Sequence, residues 1–566
     1  MKGELIMYNK SWKQKISNIL LYLLIISLTF TNTSFASANS NDYTTNDNLS
    51  TETYTGNVPN IKKTTNSTQI NKILKNCKEI KSGNSSTELK TGQMVSSFSG
   101  NGYCAAITTD GDLYYWGDNR TSNYTYPNTP VKILDNVVSA NIYRNNDIIY
   151  NSAITANGDL YCWGDNTYGQ IGNGSTNKQY TPVKVLSNVV SISSPSETAF
   201  GTSMAITTNG DLYCWGWNDH GQVGNGTTNN QYTPVKILSN VSYITCSENT
   251  SAAITTNGDL YCWGRFSGNG NFNNQLTPVK ILNDVSYITC SHGALPYNAA
   301  IITNGDLYCW GDNIHGQLGC GTSIGSQYTP VKVLDNVSSI KIGIMSSSIY
   351  SAAITTNGDL YCWGDNRYGQ IGNGSTNEYQ TTPVKILSNV SFVNLFFYGY
   401  SAAITTNGDL YCWGNNMCGQ IGNGSTENQT IPIKILSNVS SITSTYKDIR
   451  AFSAAITTNG DLYCWGSNNY GQVGNGSTKD QFTPYKVLSN VSFVYIYNFD
   501  TFTCVAAITT NKDLYCWGSN EHGRIGNGSN DPYQTTPYKV LSNVSSVASF
   551  QNYSVPYYCT SAITTD

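Results

Sequence analysis

The chain has 566 residues, too many for an ordinary single-core domain, so it is either several domains or one repeat array. Charged residues make up only 12 % of it while Tyr (41) and Gly (51) abound, a balance that suits strands and tight turns rather than long surface helices. The formal charge is −4, and −7 once residues 1–38 with Lys2, Glu4, Lys10, Lys13 and Lys15 are set aside; such a chain has no general attraction to nucleic acid or anionic lipid.

The first element is an export signal. Four lysines precede the apolar run Ile19-Leu20-Leu21-Tyr22-Leu23-Leu24-Ile25-Ile26, which continues to Phe30 and is followed by Ala36-Ser37-Ala38, small residues at the spacing a signal peptidase accepts. A membrane span needs roughly 20 apolar residues, more than this run supplies. The expectation is a cleaved signal over 1–38, no membrane span after cleavage, and a secreted or cell-surface protein. Residues 39–92, rich in Asn, Ser and Thr, read as a spacer. Within it, Ile70-Asn71-Lys72-Ile73-Leu74 echoes a phrase that recurs later.

From residue 93 to 566 one phrase repeats: Ala-Ile-Thr-Thr-Asn-Gly-Asp-Leu-Tyr-Cys-Trp-Gly, with small changes. Its tryptophans are Trp116, Trp163, Trp215, Trp263, Trp310, Trp363, Trp413, Trp465 and Trp517, spaced by 47–53 residues. A period of this length marks a repeat architecture. Ser-Ala-Ala-Ile-Thr-Thr reads as a strand. Asn-Gly reads as a tight hairpin turn with positive φ angles. Asp-Leu-Tyr-Cys-Trp is the next strand; alternation makes both of its faces apolar, so it belongs between neighbouring sheets. After the loop Gly-Gln-Ile-Gly-Asn-Gly-Ser-Thr comes a further strand, Thr-Pro-Val-Lys-Ile-Leu, with proline at its start. Asn-Val-Ser-Ser-Ile leads into one more. Four strands in about fifty residues is the content of a propeller blade, and no helical periodicity competes with it. The expected fold is all-β, a β-propeller of about four-stranded blades.

Ile-Thr-Thr-Asn-Gly-Asp-Leu-Tyr-Cys-Trp-Gly-Asp-Asn, Gly-Gln-Ile-Gly-Asn-Gly and Thr-Pro-Val-Lys together resemble the repeat of the regulator of chromosome condensation family, over about Thr91 to Asp566. The resemblance implies a propeller, usually of seven blades. This chain departs from that number, with nine full motifs and a broken tenth at Ser561–Asp566. A larger ring, an incomplete frame, or completion of the last blade by Ile70–Leu74 would each account for it. The resemblance further implies either guanine-nucleotide exchange on a small GTPase, as in the nuclear member, or protein binding outside the cell, as in secreted bacterial members. The acidic charge, the export signal and the uniform spacing, which leaves no room for a long insertion, favour the second.

Few residues suggest chemistry. Eight cysteines share the slot before Trp (Cys162, Cys214, Cys262, Cys309, Cys362, Cys412, Cys464, Cys516) and read as small buried side chains, because equivalent positions in packed sheets lie about 10 Å apart, beyond disulfide reach. Cys246 with Cys290, or Cys504 with Cys559, are open as local pairs. His220, His315 and His522 share a loop slot that Tyr168, Tyr368, Cys418 and Tyr470 fill elsewhere, so they read as packing rings rather than ligands. The Asp before each Leu, such as Asp211, Asp359 and Asp461, reads as a turn residue in preference to a calcium ligand. No catalytic, cofactor or metal site is assigned.

The expected function is therefore a secreted non-catalytic binding scaffold that recognises a protein or cell-surface polymer through loops on one propeller face. Its alternatives are a secreted enzyme acting on polysaccharide and a nucleotide-exchange factor. Specificity is placed in the segments that vary most between repeats: 193–201, 291–297, 344–350, 396–400, 445–452 and 497–503. Their aromatic residues Tyr297, Tyr350, Phe397, Tyr398, Tyr400, Tyr446, Tyr497 and Phe499 are the candidate contacts. The Asn/Ile/Lys bias points to a bacterial source.

Overall fold

The computed structural model describes residues 77–81, 103–108, 110–117, 131–145, 148–193, 201–291, 296–345, 348–447, 450–499, 502–551 and 558–564. The expected signal over 1–38 and the Ile70–Leu74 fragment lie outside them. The described residues fold into nine four-stranded antiparallel sheets and a tenth of two strands. In chain order sheets 1 to 10 span 77–134, 137–186, 189–238, 241–282, 285–334, 337–387, 390–436, 439–488, 491–541 and 544–564. Each is a simple meander whose strands lie side by side in chain order. This is the propeller-blade architecture expected from the repeat. Each Asn-Val-Ser phrase opens the following sheet rather than closing its own, as at Val241–Cys246.

One expectation is corrected. The spacer assigned to 39–92 contains a strand, Cys77–Lys81, which is the first strand of sheet 1 and pairs with Tyr103–Thr108. Its polar sequence Cys-Lys-Glu-Ile-Lys hides it, because backbone pairing rather than side-chain pattern holds a strand that sits at one side of a sheet.

Because each sheet is a meander, its connections alternate between two faces. The hairpins between second and third strands and the linkers between sheets share one face, called here the turn face. The connections from first to second and from third to fourth strands share the other, the loop face.

On the turn face the Asn-Gly hairpin differs from the expected form. Gly158 has φ +80°, while Asn157 is not in the positive region. The Gly158 N–H donates to the Thr155 carbonyl at 2.8 Å, and the Thr155 N–H donates to the Asp159 carbonyl at 3.0 Å. This is a three-residue loop with glycine in the left-handed position, not a two-residue turn. Asparagine does use positive φ in the sheet-to-sheet linkers, as at Asn188 (φ +59°). There the Val189 N–H donates to the Gly158 carbonyl, and the next hairpin's Thr208 N–H donates to the Asn188 carbonyl, both at 2.7 Å. Each linker is thus held between the hairpins of two successive sheets.

The core lies between sheets. Trp215 of sheet 3 packs on Tyr150, Leu160, Cys162 and Ile171 of sheet 2, and the same arrangement recurs along the array, for instance with Trp413 of sheet 7 on Leu360, Cys362 and Ile371 of sheet 6. Trp215, Trp263, Trp310, Trp363, Trp413, Trp465 and Trp517 are fully buried and Trp163 is 3 % exposed; the Trp116 side chain lies outside the described residues. Burying one such ring removes about 150–250 Å² from water, an upper estimate of about 4–6 kcal/mol per sheet interface. The fourth strands are half-buried to exposed, as at Gln179–Leu186. The prolines expected at their starts lie inside them, where the register shifts between Cys162 and Gly164. On an outer edge a missing N–H costs little and blocks pairing with another chain.

Candidate functional site: the loop face

The third-to-fourth-strand loops carry a polar latch that ties each sheet to the next. Buried Asn166 shapes the loop of sheet 2: its Oδ1 accepts the Ile171 N–H at 2.9 Å and its Nδ2 donates to the Ser175 carbonyl at 2.8 Å. Gln170 Oε1 accepts the Tyr168 N–H at 2.9 Å. The loop then presents the Gln170 carbonyl to sheet 3, where it accepts Trp215 Nε1–H at 2.9 Å and Ser203 Oγ–H at 3.0 Å. The same latch joins Trp263 to Gln222, Trp363 to Gln317, Trp413 to Gln370, Trp465 to Gln420 and Trp517 to Gln472, at 2.7–2.9 Å. The glycine after the Ile or Val is fixed by this contact. A Cβ on Gly172 would stand 2.7 Å from Trp215 Nε1, and its φ of +84° already excludes most residues.

On the turn face, each Asp before Leu pairs with the lysine of its own fourth strand. Asp159–Lys184, Asp211–Lys236, Asp259–Lys280, Asp359–Lys385, Asp409–Lys434, Asp461–Lys486 and Asp513–Lys539 all lie at 2.8 Å, and Asp306–Lys332 at 2.9 Å. The lysine's hydrogen bond holds each of these carboxyls below its usual range. This is the turn-residue reading of the sequence, with an ion pair added that the repeat pattern does not reveal.

All eight cysteines before Trp are free and buried, and burial pushes Cys162 and Cys309 up to about 12, so these thiols are unreactive at neutral pH. Cys246, Cys290 and Cys504 are also free; the Cys559 side chain lies outside the described residues. His315 sets its ring against Tyr379 of the next sheet at 5.5 Å, and His220 sits against Trp217 at 5.7 Å, so both act as packing rings. The His522 side chain lies outside the described residues.

The variable segments are the first-to-second-strand connections of sheets 3, 5, 6, 7, 8 and 9, all on the loop face. Parts of them (194–200, 292–295, 346–347, 448–449 and 500–501) lie outside the described residues, as do the side chains of Tyr446 and Phe499. Four candidate contact residues are corrected: Tyr297, Tyr350, Tyr400 and Tyr497 are at most 2 % exposed and cannot present a contact surface. Tyr297, Tyr350 and Tyr400 fill the slot before Asn/Ser-Ala-Ala-Ile, a second-strand position inside the sheet interface, and Tyr497 lies on the first strand of sheet 9 opposite Cys504, which holds that slot there. Tyr297 and Tyr400 bring their hydroxyls to Cys309 and Cys412 Sγ at 3.3 and 3.2 Å, and Tyr350 donates to the Phe396 carbonyl at 3.1 Å. Phe397 and Tyr398 remain part-exposed on the loop face, ring against ring at 4.7 Å, with Tyr398 at φ +61°.

A second aromatic group on the loop face comes from departures in the loops themselves. The slot after Trp-Gly holds Asp165, Asp312 and Asp365 elsewhere but Trp217 in sheet 3. Trp217 is part-exposed and lies 6.4 Å from Tyr168 of sheet 2. In sheet 4 the loop is four residues shorter, running Gly264-Arg265-Phe266-Ser267-Gly268 where sheet 3 has Gly216 to Gly224. Phe266 takes the Gln position, and its carbonyl accepts Trp310 Nε1–H at 3.2 Å. Its ring stacks on Tyr328 at 5.8 Å, Arg265 lies over it at 5.1 Å, and Phe272, 66 % exposed, meets Tyr328 edge-on. His220, linked to Asn274 Nδ2 at 3.3 Å, stands between these two groups; burial and the nearby Arg265 lower its pKa. Glu248, in the connection beside it, has its carboxyl raised by burial. Sequence reasoning missed this band, although the exchange of Asp for Trp217 and the shortened loop are visible in the repeat alignment.

Among the described first strands the one acidic residue is Glu79, so the two facing carboxylates of a typical glycoside hydrolase are not found there.

Comparison with known proteins bears on this arrangement. A family model described as an RCC1-like domain matches residues 296–555, and the regulator of chromosome condensation (RCC1) repeat matches 157–197 and 209–254. The ultraviolet-B receptor UVR8 of Arabidopsis thaliana is 27 % identical over 64 % of this chain and 72 % of its own length. The E3 ubiquitin-protein ligase HERC2 of Homo sapiens is 35 % identical over 15 % of this chain, which is 2 % of that protein. Among solved structures, Prp20p of Saccharomyces cerevisiae is 21 % identical, covering 59 % of this chain and 88 % of that one with a TM-score of 0.35. With its repeat matched from residue 157 onward and its blades built as described, the chain belongs to the regulator of chromosome condensation repeat family.

Proposed function

We propose that the protein is a non-catalytic binding scaffold, exported to the cell surface or medium of a bacterium, whose loop face engages a protein or cell-surface polymer. One observation carries this reading: Trp217 and Phe272, both on the loop face, present part-exposed and exposed aromatic rings where the chain departs from the repeat. In a repeat protein the invariant positions hold the stack, so exposed residues that break the pattern are available for recognition. Trp217 leaves the latch intact, since Trp263 still bonds the Gln222 carbonyl of that loop at 2.8 Å. Aromatic rings with polar neighbours are the usual anchors of contact surfaces. Export rests on the sequence of residues 1–38.

The test uses the chain from residue 39 as bait against bacterial-surface and host-cell extracts, beside a Trp217→Asp/Phe272→Ser variant that restores the repeat's own residue at position 217. The expected result is a saturable partner that the variant binds at least tenfold more weakly. Equal capture by both proteins would remove the loop-face band from the proposal.

A further inference from the structure

Seven hairpins on the turn face contain Asn-Gly, at Asn157, Asn209, Asn257, Asn304, Asn357, Asn407 and Asn459. Asn-Gly is chemically labile because glycine offers no side chain to shield its nitrogen from the preceding amide. In these hairpins the glycine nitrogen is engaged alike, each Gly N–H donating to the carbonyl three residues earlier at 2.8–2.9 Å. The asparagine side chains are not alike.

In four hairpins both ends of the amide are held. Thr155, Thr255 and Thr457 Oγ1 donate to Asn157, Asn257 and Asn459 Oδ1 at 2.5 Å, and Thr355 does the same to Asn357. The Nδ2 groups of these asparagines donate to the Asp two residues on, at 3.0–3.3 Å. Asn304 is also held at both ends, accepting the Asp306 N–H at 2.9 Å and donating to its carboxylate at 3.2 Å. Asn209 is held at one end, accepting Thr208 Oγ1–H at 3.3 Å. Asn407 is exposed, and its side chain makes no hydrogen bond among the described residues.

We infer that Asn407 is a deamidation site, the fastest of the seven. The Gly408 nitrogen gives up its proton to solvent base and bonds to Asn407 Cγ; the Cγ–Nδ2 bond breaks and the nitrogen leaves as ammonia. One water then opens the five-membered imide to Asp or isoaspartate. No oxidant or cofactor enters. To react, a held asparagine first breaks its side-chain hydrogen bonds, whereas Asn407 does not. Since the engaged glycine nitrogen is common to all seven, it cancels from the comparison. Two hydrogen bonds of ordinary net strength correspond to about thirtyfold in rate, and one to about fivefold. Each event adds a negative charge beside Asp409 on the turn face, opposite the loop face, so this inference and the proposed function stand or fall separately.

The folded full-length protein is incubated in mildly alkaline buffer, and the seven sites are followed by peptide mapping with isoaspartate detection. The expected order is Asn407 fastest, about fivefold ahead of Asn209 and about thirtyfold ahead of the five held sites. The same assay in concentrated urea supplies the control. Local sequence is Thr-Asn-Gly-Asp at six sites and Ala-Asn-Gly-Asp at Asn157, so unfolding should bring the seven rates together. Equal rates in the folded protein, or Asn407 among the slower sites, would overturn the inference.

Discussion

The turn face and the loop face are built by the same repeats yet differ in how freely they vary. Eight of the turn-face Asp–Lys pairs lie within 0.1 Å of one another in length, and the linker asparagines share a φ near +55 to +60°. The loop face keeps its own invariant, the Trp–Gln latch, but tolerates Trp217, the shortened loop at Phe266, and connections of differing length. The difference follows from what each connection must do. A turn-face linker is hydrogen-bonded to two hairpins and sets where the next sheet begins, so a change there would shift an entire interface. A first-to-second-strand connection sets no such starting point for another sheet, and it can lengthen at small entropic cost.

The stack is most vulnerable at the latch. Trp363→Ala removes a fully buried ring from the interface between sheets 5 and 6 and should cost about 3–5 kcal/mol in denaturant unfolding. An unchanged midpoint would mean that the ring is not part of the core. Gly372→Ala should cost about 2–4 kcal/mol, because its φ is +85° and the added methyl would lie 2.8 Å from Trp413 Nε1.

Acid sharpens the turn-face half. The paired carboxyls have folded pKa values below the ordinary 3.8. Their contribution is therefore complete above that pH and lost as pH falls through the depressed values. Melting temperature attributable to these pairs should stay level from neutrality to about pH 4.5 and drop below about pH 3.8. A drop centred above pH 5 would assign the acid sensitivity to other groups. The smallest effect is a gain. In sheet 9 the hairpin glycine is replaced by Lys512 at φ +63°, so Lys512→Gly should stabilise the protein by about 1 kcal/mol. A loss on that substitution would show that the lysine side chain makes a contact outweighing its strain.

Much of the fold is legible in the sequence because each repeat states it again: the strands, the hairpins and the buried tryptophans follow from local pattern. The latch is not legible, since its acceptor is a backbone carbonyl and only the flanking glycines, Gly169 and Gly172, hint at it. The strand at Cys77–Lys81 is hidden for a related reason, its identity being set by the partner strand. At the candidate site, variability alone misled. Tyr297, Tyr350 and Tyr400 vary against Thr202, Thr250, Phe452 and Cys504 in the same slot, but that variation is core packing between sheets. Trp217 carried the more useful signal, a large ring where the repeat has a small polar side chain.

The most direct measurement sets two tryptophans of one array against each other. Unfolding free energies of Trp217→Asp and Trp363→Ala are determined under identical conditions. If the exposed part of the Trp217 ring is kept for binding, Trp217→Asp changes stability by less than about 0.5–1 kcal/mol while Trp363→Ala loses several times more. A loss at Trp217 equal to that at Trp363 would contradict the account, for the ring would then belong to the stack and not to a surface kept for binding.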